Sequence, residues 1–231
     1  MRNLAIALAF ALSAAACATT GAPQASGGYD VSALNPTVRD AVLTARQREA
    51  EAQRAAATAR EHAARGAEAA ERARRGERGF FVDNSTEGQR YAGGWGQNGA
   101  QGHGVTTFIG GVFNGDSYQG EHADNRYQGY GVYNWADNEN NTPGQLRFEG
   151  QFANDEANGV GVRIYRDGQI RSGEVANWRT NGFGVQRLPT GWRYEGQFSG
   201  GQYQGYGVLW NPEGEVERAG LWQGGELVQP M

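Results

Sequence analysis

The sequence predicts a mainly β protein: an elongated single antiparallel sheet of stacked β-hairpin repeats, preceded by one long α-helix. Three observations predict it. Glycine is frequent, at 37 of 231 residues, too many for a conventional compact core, so internal repeats are sought first. A glycine and aromatic pattern recurs at fixed spacing after residue 79. Before it, residues 37–78 are rich in alanine, arginine and glutamate and hold no proline, as a long helix requires.

Composition removes several function classes. The formal net charge of −4 gives no case for a nucleic-acid binder. Every basic residue is arginine and none is lysine, which excludes a lysine Schiff base or a phosphate-binding loop with its lysine. A single cysteine permits no intramolecular disulfide.

The N-terminus reads as a processing signal over residues 1–16. Arg2 precedes an apolar run from Leu4 to Ala16, too short to span a bilayer, which takes about 20 residues, and of the length of a secretory signal. Its end, Ala14-Ala15-Ala16-Cys17, resembles a bacterial lipobox, with alanine where leucine is commonest. The resemblance implies lipidation of Cys17 and membrane attachment through that anchor. The alternative is an ordinary signal peptide followed by an incidental thiol, a liability in an oxidising compartment. By resemblance to bacterial sorting rules, Ala18 after the cysteine favours the outer over the inner membrane. The expected location is therefore the cell envelope, on the periplasmic side of the outer membrane. Residues 17–36, rich in Ala, Thr, Gly, Ser and Pro, read as a flexible tether.

The helix is expected over residues 37–78, capped by Thr37 and ended by Gly76 and Gly79. Small residues recur at alternating spacings of three and four: Val38, Val42, Ala45, Glu49, Ala52, Ala56, Ala59, Ala63, Gly66, Ala70 and Ala73. Such a stripe suits a coiled-coil seam, although alanine buries little area and Glu49 and Gly66 interrupt it. Ten arginines face seven acids here, interleaved in pairs such as Glu61 with Arg65 and Glu68 with Arg72. Two roles compete: a stalk that self-associates or pairs with another helix, and a solvated spacer. The charge pattern favours the spacer.

Residues 79–231 carry the repeat. Each copy reads aromatic, any, Gly, any, aromatic, then Gly-x-Gly. The copies are Tyr91, Gly93, Trp95, Gly102, Gly104; Tyr118, Gly120, His122, Gly129, Gly131; Phe148, Gly150, Phe152, Gly159, Gly161; Arg171, Gly173, Val175, Gly182, Gly184; and Tyr194, Gly196, Phe198, Gly205, Gly207. Gly220 and Trp222 form a terminal fragment. The first glycine always stands nine residues before the second and eleven before the third. The shortest period is 23 residues, with insertions near 110–116 and 137–144. Arg171 and His122 depart from the aromatic pattern. Alternation places both rings and the glycine on one face of a strand, while Tyr130, Val160, Phe183 and Tyr206 point to the other. Turns are expected at Asn98-Gly99, Asn154-Asp155 and Gly200-Gly201. A lone hairpin is unstable, and stacking buries the rings continuously. Phe80-Phe81 and the segment near Trp222 are candidate end caps.

This pattern resembles the MORN (membrane occupation and recognition nexus) repeat family from Tyr91 to Trp222. The resemblance implies a stacked-hairpin fold and roles in protein interaction, oligomerisation or lipid association. Chemistry-bearing residues fit the repeat: His103 shares a position with Tyr130 and Phe183, and His122 shares one with Phe152 and Phe198. His62 is expected to be solvated on the helix. Glu121, Glu149, Glu174 and Glu195 read as the polar face of the sheet. Residues 137–141 are acidic and amide-rich but lack a calcium-loop spacing. No catalytic residue, metal ligand or cofactor is predicted. The expected function is a non-enzymatic, protein-binding or scaffolding module with an unknown envelope protein as partner. Binding of peptidoglycan or another envelope polysaccharide through surface aromatics is the alternative. Anionic lipid fits poorly, because ten arginines face seventeen acids beyond Gly79.

Overall fold

The computed structural model describes residues 29–85, 88–137 and 144–231. The signal segment, Cys17 and the start of the tether lie outside the described residues, as does most of the second insertion. Helix α1 (Pro36–Arg74) leads into thirteen strands. These are β1 (Phe80–Val82), β2 (Gly88–Gly96), β3 (Gly99–Ile109), β4 (Ser117–Ala123), β5 (Arg126–Asn134), β6 (Gln145–Ala153), β7 (Glu156–Tyr165), β8 (Ile170–Ala176), β9 (Arg179–Arg187), β10 (Arg193–Ser199), β11 (Gln202–Trp210), β12 (Val216–Gln223) and β13 (Glu226–Pro230). All pair antiparallel in sequence order in one open sheet. Its edges are short strands, and Pro230 closes the last one.

The hairpin turns follow backbone chemistry. Asp124-Asn125, Asn154-Asp155, Asn177-Trp178, Gly200-Gly201 and Gly224-Gly225 all take positive φ at both positions, the twist that suits a two-residue hairpin. In the first hairpin the turn is Gln97-Asn98, one residue earlier than the sequence suggested, because Gly96 pairs with Gly99. Each repeat also carries a register shift, between Gly120 and His122, Gly150 and Phe152, Gly173 and Val175, and Gly196 and Phe198. The bulge leaves one backbone N–H without a ladder partner. The residue after the motif glycine supplies one: Glu121, Gln151, Glu174 and Gln197 accept from the N–H of Tyr130, Val160, Phe183 and Tyr206 at 2.5–2.9 Å. A Cβ on Gly129, Gly159, Gly182 or Gly205 would lie within 2.4 Å of that same side chain. In the first copy the accepting position is Gly94, and a Cβ on Gly102 would meet nothing.

The helix is neither a solvated spacer nor half of a coiled coil: α1 lies along the sheet from β1 to β11. Its cap also differs from expectation. Asn35, not Thr37, accepts from the Val38 N–H at 3.0 Å, with Pro36 as the first helical residue. At the other end the N–H groups of Gly76 and Glu77 return to the carbonyls of Ala73 and Arg72. The stripe read from the sequence is the buried face, with Val42 on Val208, Ala56 on Val162, Ala63 on Val132 and Ala70 on Ala92. The reason is metric. Seven helical residues rise about 10.5 Å, and two strands span about 9.6 Å, so one heptad matches one hairpin. Arg46, Gln53 and Arg60, seven apart, thus reach Glu195, Ser172 and Glu149, which are 23 apart. Arg48 and His62 likewise reach Glu174 and Glu121.

Both interruptions of the stripe have a structural reason. Glu49 holds Arg187 at 2.8 Å and Arg193 at 3.1 Å. Gly66 lets the helix backbone touch the sheet, since a Cβ there would fall 2.6 Å from the Gly104 carbonyl oxygen. The tether also ends earlier than residue 36. Tyr29, Val31 and Leu34 pack on the cluster of Val208, Trp210 and Ala219, and the Tyr29 N–H donates to Gly214.

Candidate functional site

The helix-covered face of the sheet uses its charges internally. The carboxylates read as the polar face of the sheet lie on the face that α1 packs against, where Arg46, Arg48, Arg60 and His62 reach them. Glu195 is fully buried and is held by Arg46, Arg193 and the indole N–H of Trp210. Glu149 is 1% exposed and pairs with Arg60 and Arg147. Such pairs are stable only because each buried charge keeps its partner. His62 is also half-buried rather than solvated. Its Nδ1 lies 2.9 Å from a Glu121 carboxylate oxygen and 3.1 Å from His103 Nε2. Burial lowers the pKa of His103, and His62 acts in the same direction. Among the described residues no cluster of three or more acidic, His or Cys side chains is arranged to hold a metal.

The opposite face carries the aromatic positions of the repeat. The motif glycines make room for them. A Cβ on Gly104, Gly131, Gly161 or Gly207 would come within 2.5 Å of the ring or hydroxyl of Tyr91, Tyr118, Phe148 or Tyr194. In five copies the first motif glycine faces the Cα of its cross-strand glycine, with a Cβ-to-Cα distance of 2.5–2.6 Å. Rings stack within a copy: Tyr118 on Tyr127 at 4.0 Å, and Tyr194 on Tyr203 at 3.7 Å. Phe152, Phe198 and Trp222 are buried beside them, whereas Trp95 stays exposed next to Phe81 at the first edge. His122 fills its aromatic position edge-on to Tyr91 and Tyr118, and burial pushes its pKa down to about 4.

One register row runs across this face from Thr106 through Tyr118, Tyr133, Phe148, Arg163, Arg171 and Gln186 to Tyr194. It turns polar where the fourth copy has Arg171. The ring nearest a Cβ on Gly184 is that of Phe198, at 3.6 Å rather than the 2.5 Å or less, to a ring or its hydroxyl, of the other copies, and a cleft of about 790 Å³ opens on this face. Both insertions and one of the two aromatic departures contribute to the cleft, while His122 does not line it. Phe113 comes from the first insertion, Trp135 and Gln145 flank the second, and Arg171 replaces the missing ring. Trp178, in a left-handed turn position at φ 64°, leans over Tyr133, Trp135 and Phe152 at centroid distances of 4.9–5.7 Å. A bulky residue in that conformation is strained, a feature that gathers at ligand sites.

Arg163 lines the cleft and is 8% exposed. It donates to the Trp178 carbonyl and sits over the rings of Trp135 and Phe148 at 5.3 and 5.8 Å. Burial lowers its pKa from the usual arginine value. Arg171 donates to the Gly201 carbonyl at 2.9 Å and lies over Tyr165. Arg171 and the two insertions were visible in the sequence as departures. Arg163, Tyr165, Trp178 and Arg179 carried no signal, because only the register brings them to the same place.

Three segments of the chain match the MORN repeat family model: residues 118–139, 148–170 and 194–216, which fall on the second, third and fifth copies. No curated protein matches the chain. In those three segments the stacked hairpins with their glycine-seated rings are similar to MORN repeats.

Proposed function

We propose that this protein is a non-enzymatic binding module of the cell envelope, and that it binds a protein partner in the cleft on the aromatic face. One observation carries the reading: residues from or beside both insertions and the arginine that replaces a repeat ring line a single cleft. Insertions and a lost ring scattered by drift have no reason to meet. The other face of the sheet is occupied by α1, so a partner meets the aromatic face first. A concave site of this volume with aromatic walls and a few convergent polar groups has the character of a ligand site.

A photo-crosslinking amino acid at position 113, on the rim, tests this in intact cells. The expected result is a discrete protein adduct that is absent when the probe replaces Leu43 on the outer side of α1. Adducts to glycan alone would favour the polysaccharide reading, and no adduct at position 113 would sink both.

The envelope location rests on the sequence of residues 1–17. Metabolic labelling with palmitate is expected to mark the protein and to be lost in Cys17→Ser. Equal labelling of both would remove the lipid anchor from this account.

A further inference from the structure

The chemistry of the cleft narrows its ligand, on the reading that the cleft is the binding site. We propose that it takes an acidic segment of a partner protein, with a Glu or Asp carboxylate on Arg163 and Arg171 and the apolar neighbours of that carboxylate on Trp135, Trp178 and Phe113.

The first support is charge. Arg163, Arg171 and Arg179 line the cleft against one carboxylate, Asp155, whose oxygen already accepts from the Tyr127 N–H at 2.8 Å. Among the described residues no carboxylate pairs with any of the three arginines, although those that reach the sheet from α1 meet Glu195, Glu174 and Glu149. Arg163 and Arg171 are direct cross-strand neighbours, an arrangement of like charges that is unfavourable without an anion between them. The Nε of Arg171 is buried and has no hydrogen-bond partner. Two arginines on neighbouring strands of one cleft keep further guanidinium donors, which a carboxylate can accept. The chain's first 28 residues contain no Asp or Glu, so the carboxylate does not come from that segment.

The second support is the rim. Phe113 is 54% exposed and leans on Phe108 at 5.7 Å, both lining the cleft. An exposed aromatic group beside a buried arginine and half-buried tryptophans is the make-up of a protein interface centre. An anionic membrane fits less well, because the acidic excess beyond Gly79 repels it.

The test is selection from a random short-peptide library on the full chain in mild detergent, followed by fluorescence anisotropy on the selected peptides. Asp or Glu beside an aromatic or aliphatic residue is expected to be enriched. Changing the selected acid to its amide is expected to weaken binding by about tenfold or more, as loss of a charged hydrogen-bond partner does. Arg163→Gln is expected to do the same. Arg171→Tyr restores the ring of the repeat, so it is expected to fold at least as stably and yet lose the acidic peptides. Selection of peptides with no acidic preference would overturn the carboxylate assignment and leave the cleft as a protein site. Selection of none, with tighter binding of oligogalacturonate that depends on Arg171, would overturn the protein partner itself.

Discussion

His122 illustrates what one position in a repeat can absorb. It stands where sister copies have Phe152 and Phe198, and it is 3% exposed. Its ring is held by the Thr106 hydroxyl at 3.0 Å and the Gly120 carbonyl at 3.2 Å. Because its folded pKa, about 4, is below the ordinary 6.5, the unfolded chain takes up the proton first. Stability from this residue is therefore present above about pH 6.5 and is lost as pH falls toward 4, by about 3 kcal/mol in total. His122→Phe is expected to remove that acid sensitivity, which urea titrations at pH 7 and pH 4.5 would show. An unchanged pH dependence in the variant would mean that the buried carboxylate pairs dominate. The aromatic role of this position was legible from spacing alone. The buried and neutral state of the histidine was not, since it depends on the rings of Tyr91 and Tyr118 closing over it.

At the scale of the element, α1 shows how one pattern can name a face without naming what covers it. Spacings of three and four mark a stripe on a helix, but a second helix and a hairpin sheet of matching pitch satisfy it equally. Gly66 separates the two in practice. On a solvated helix, Gly→Ala stabilises by about 1 kcal/mol. Here the added methyl meets the backbone of Gly104 and Gly120 at 2.6 and 3.2 Å. Gly66→Ala is expected to destabilise the protein by about 1–3 kcal/mol, as overpacking does. Thermal unfolding of the variant checks this, and a raised midpoint would mean that the helix stands away from the sheet. The bulge acceptors follow the same logic. Glu121 read from the sequence as part of the polar face of the sheet, yet it and Gln151 each serve a backbone N–H that only the register shift exposes.

For the whole molecule, the sheet and helix are mutually dependent. A single-layer sheet exposes two faces, and a stack of hairpins covers one of them with its own rings. The other is closed by α1, whose arginines also partner Glu149 and Glu195. Deleting residues 29–78 bares that apolar face and leaves two buried carboxylates short of a cation. Residues 79–231 alone are expected to aggregate or unfold, and residues 29–78 added in trans are expected to restore a folded complex. Sedimentation and far-UV circular dichroism would follow both states. A monomeric, cooperatively folded fragment would show the helix to be dispensable.

By itself the sequence determined the hairpin unit, its period, the seats of the rings and the buried stripe of the helix. Those features depend on local spacing, with glycine where a ring or a left-handed turn leaves no room for a Cβ. Tertiary structure decided what lies across from what. The match between seven helical residues and two strands placed α1 on the sheet. The register of β7 with β8 set Arg163 beside Arg171 under the rim formed by Phe113 and Trp135. These residues are far apart in the chain, and no local spacing encodes their meeting, because it is fixed only when every intervening hairpin has added its own offset.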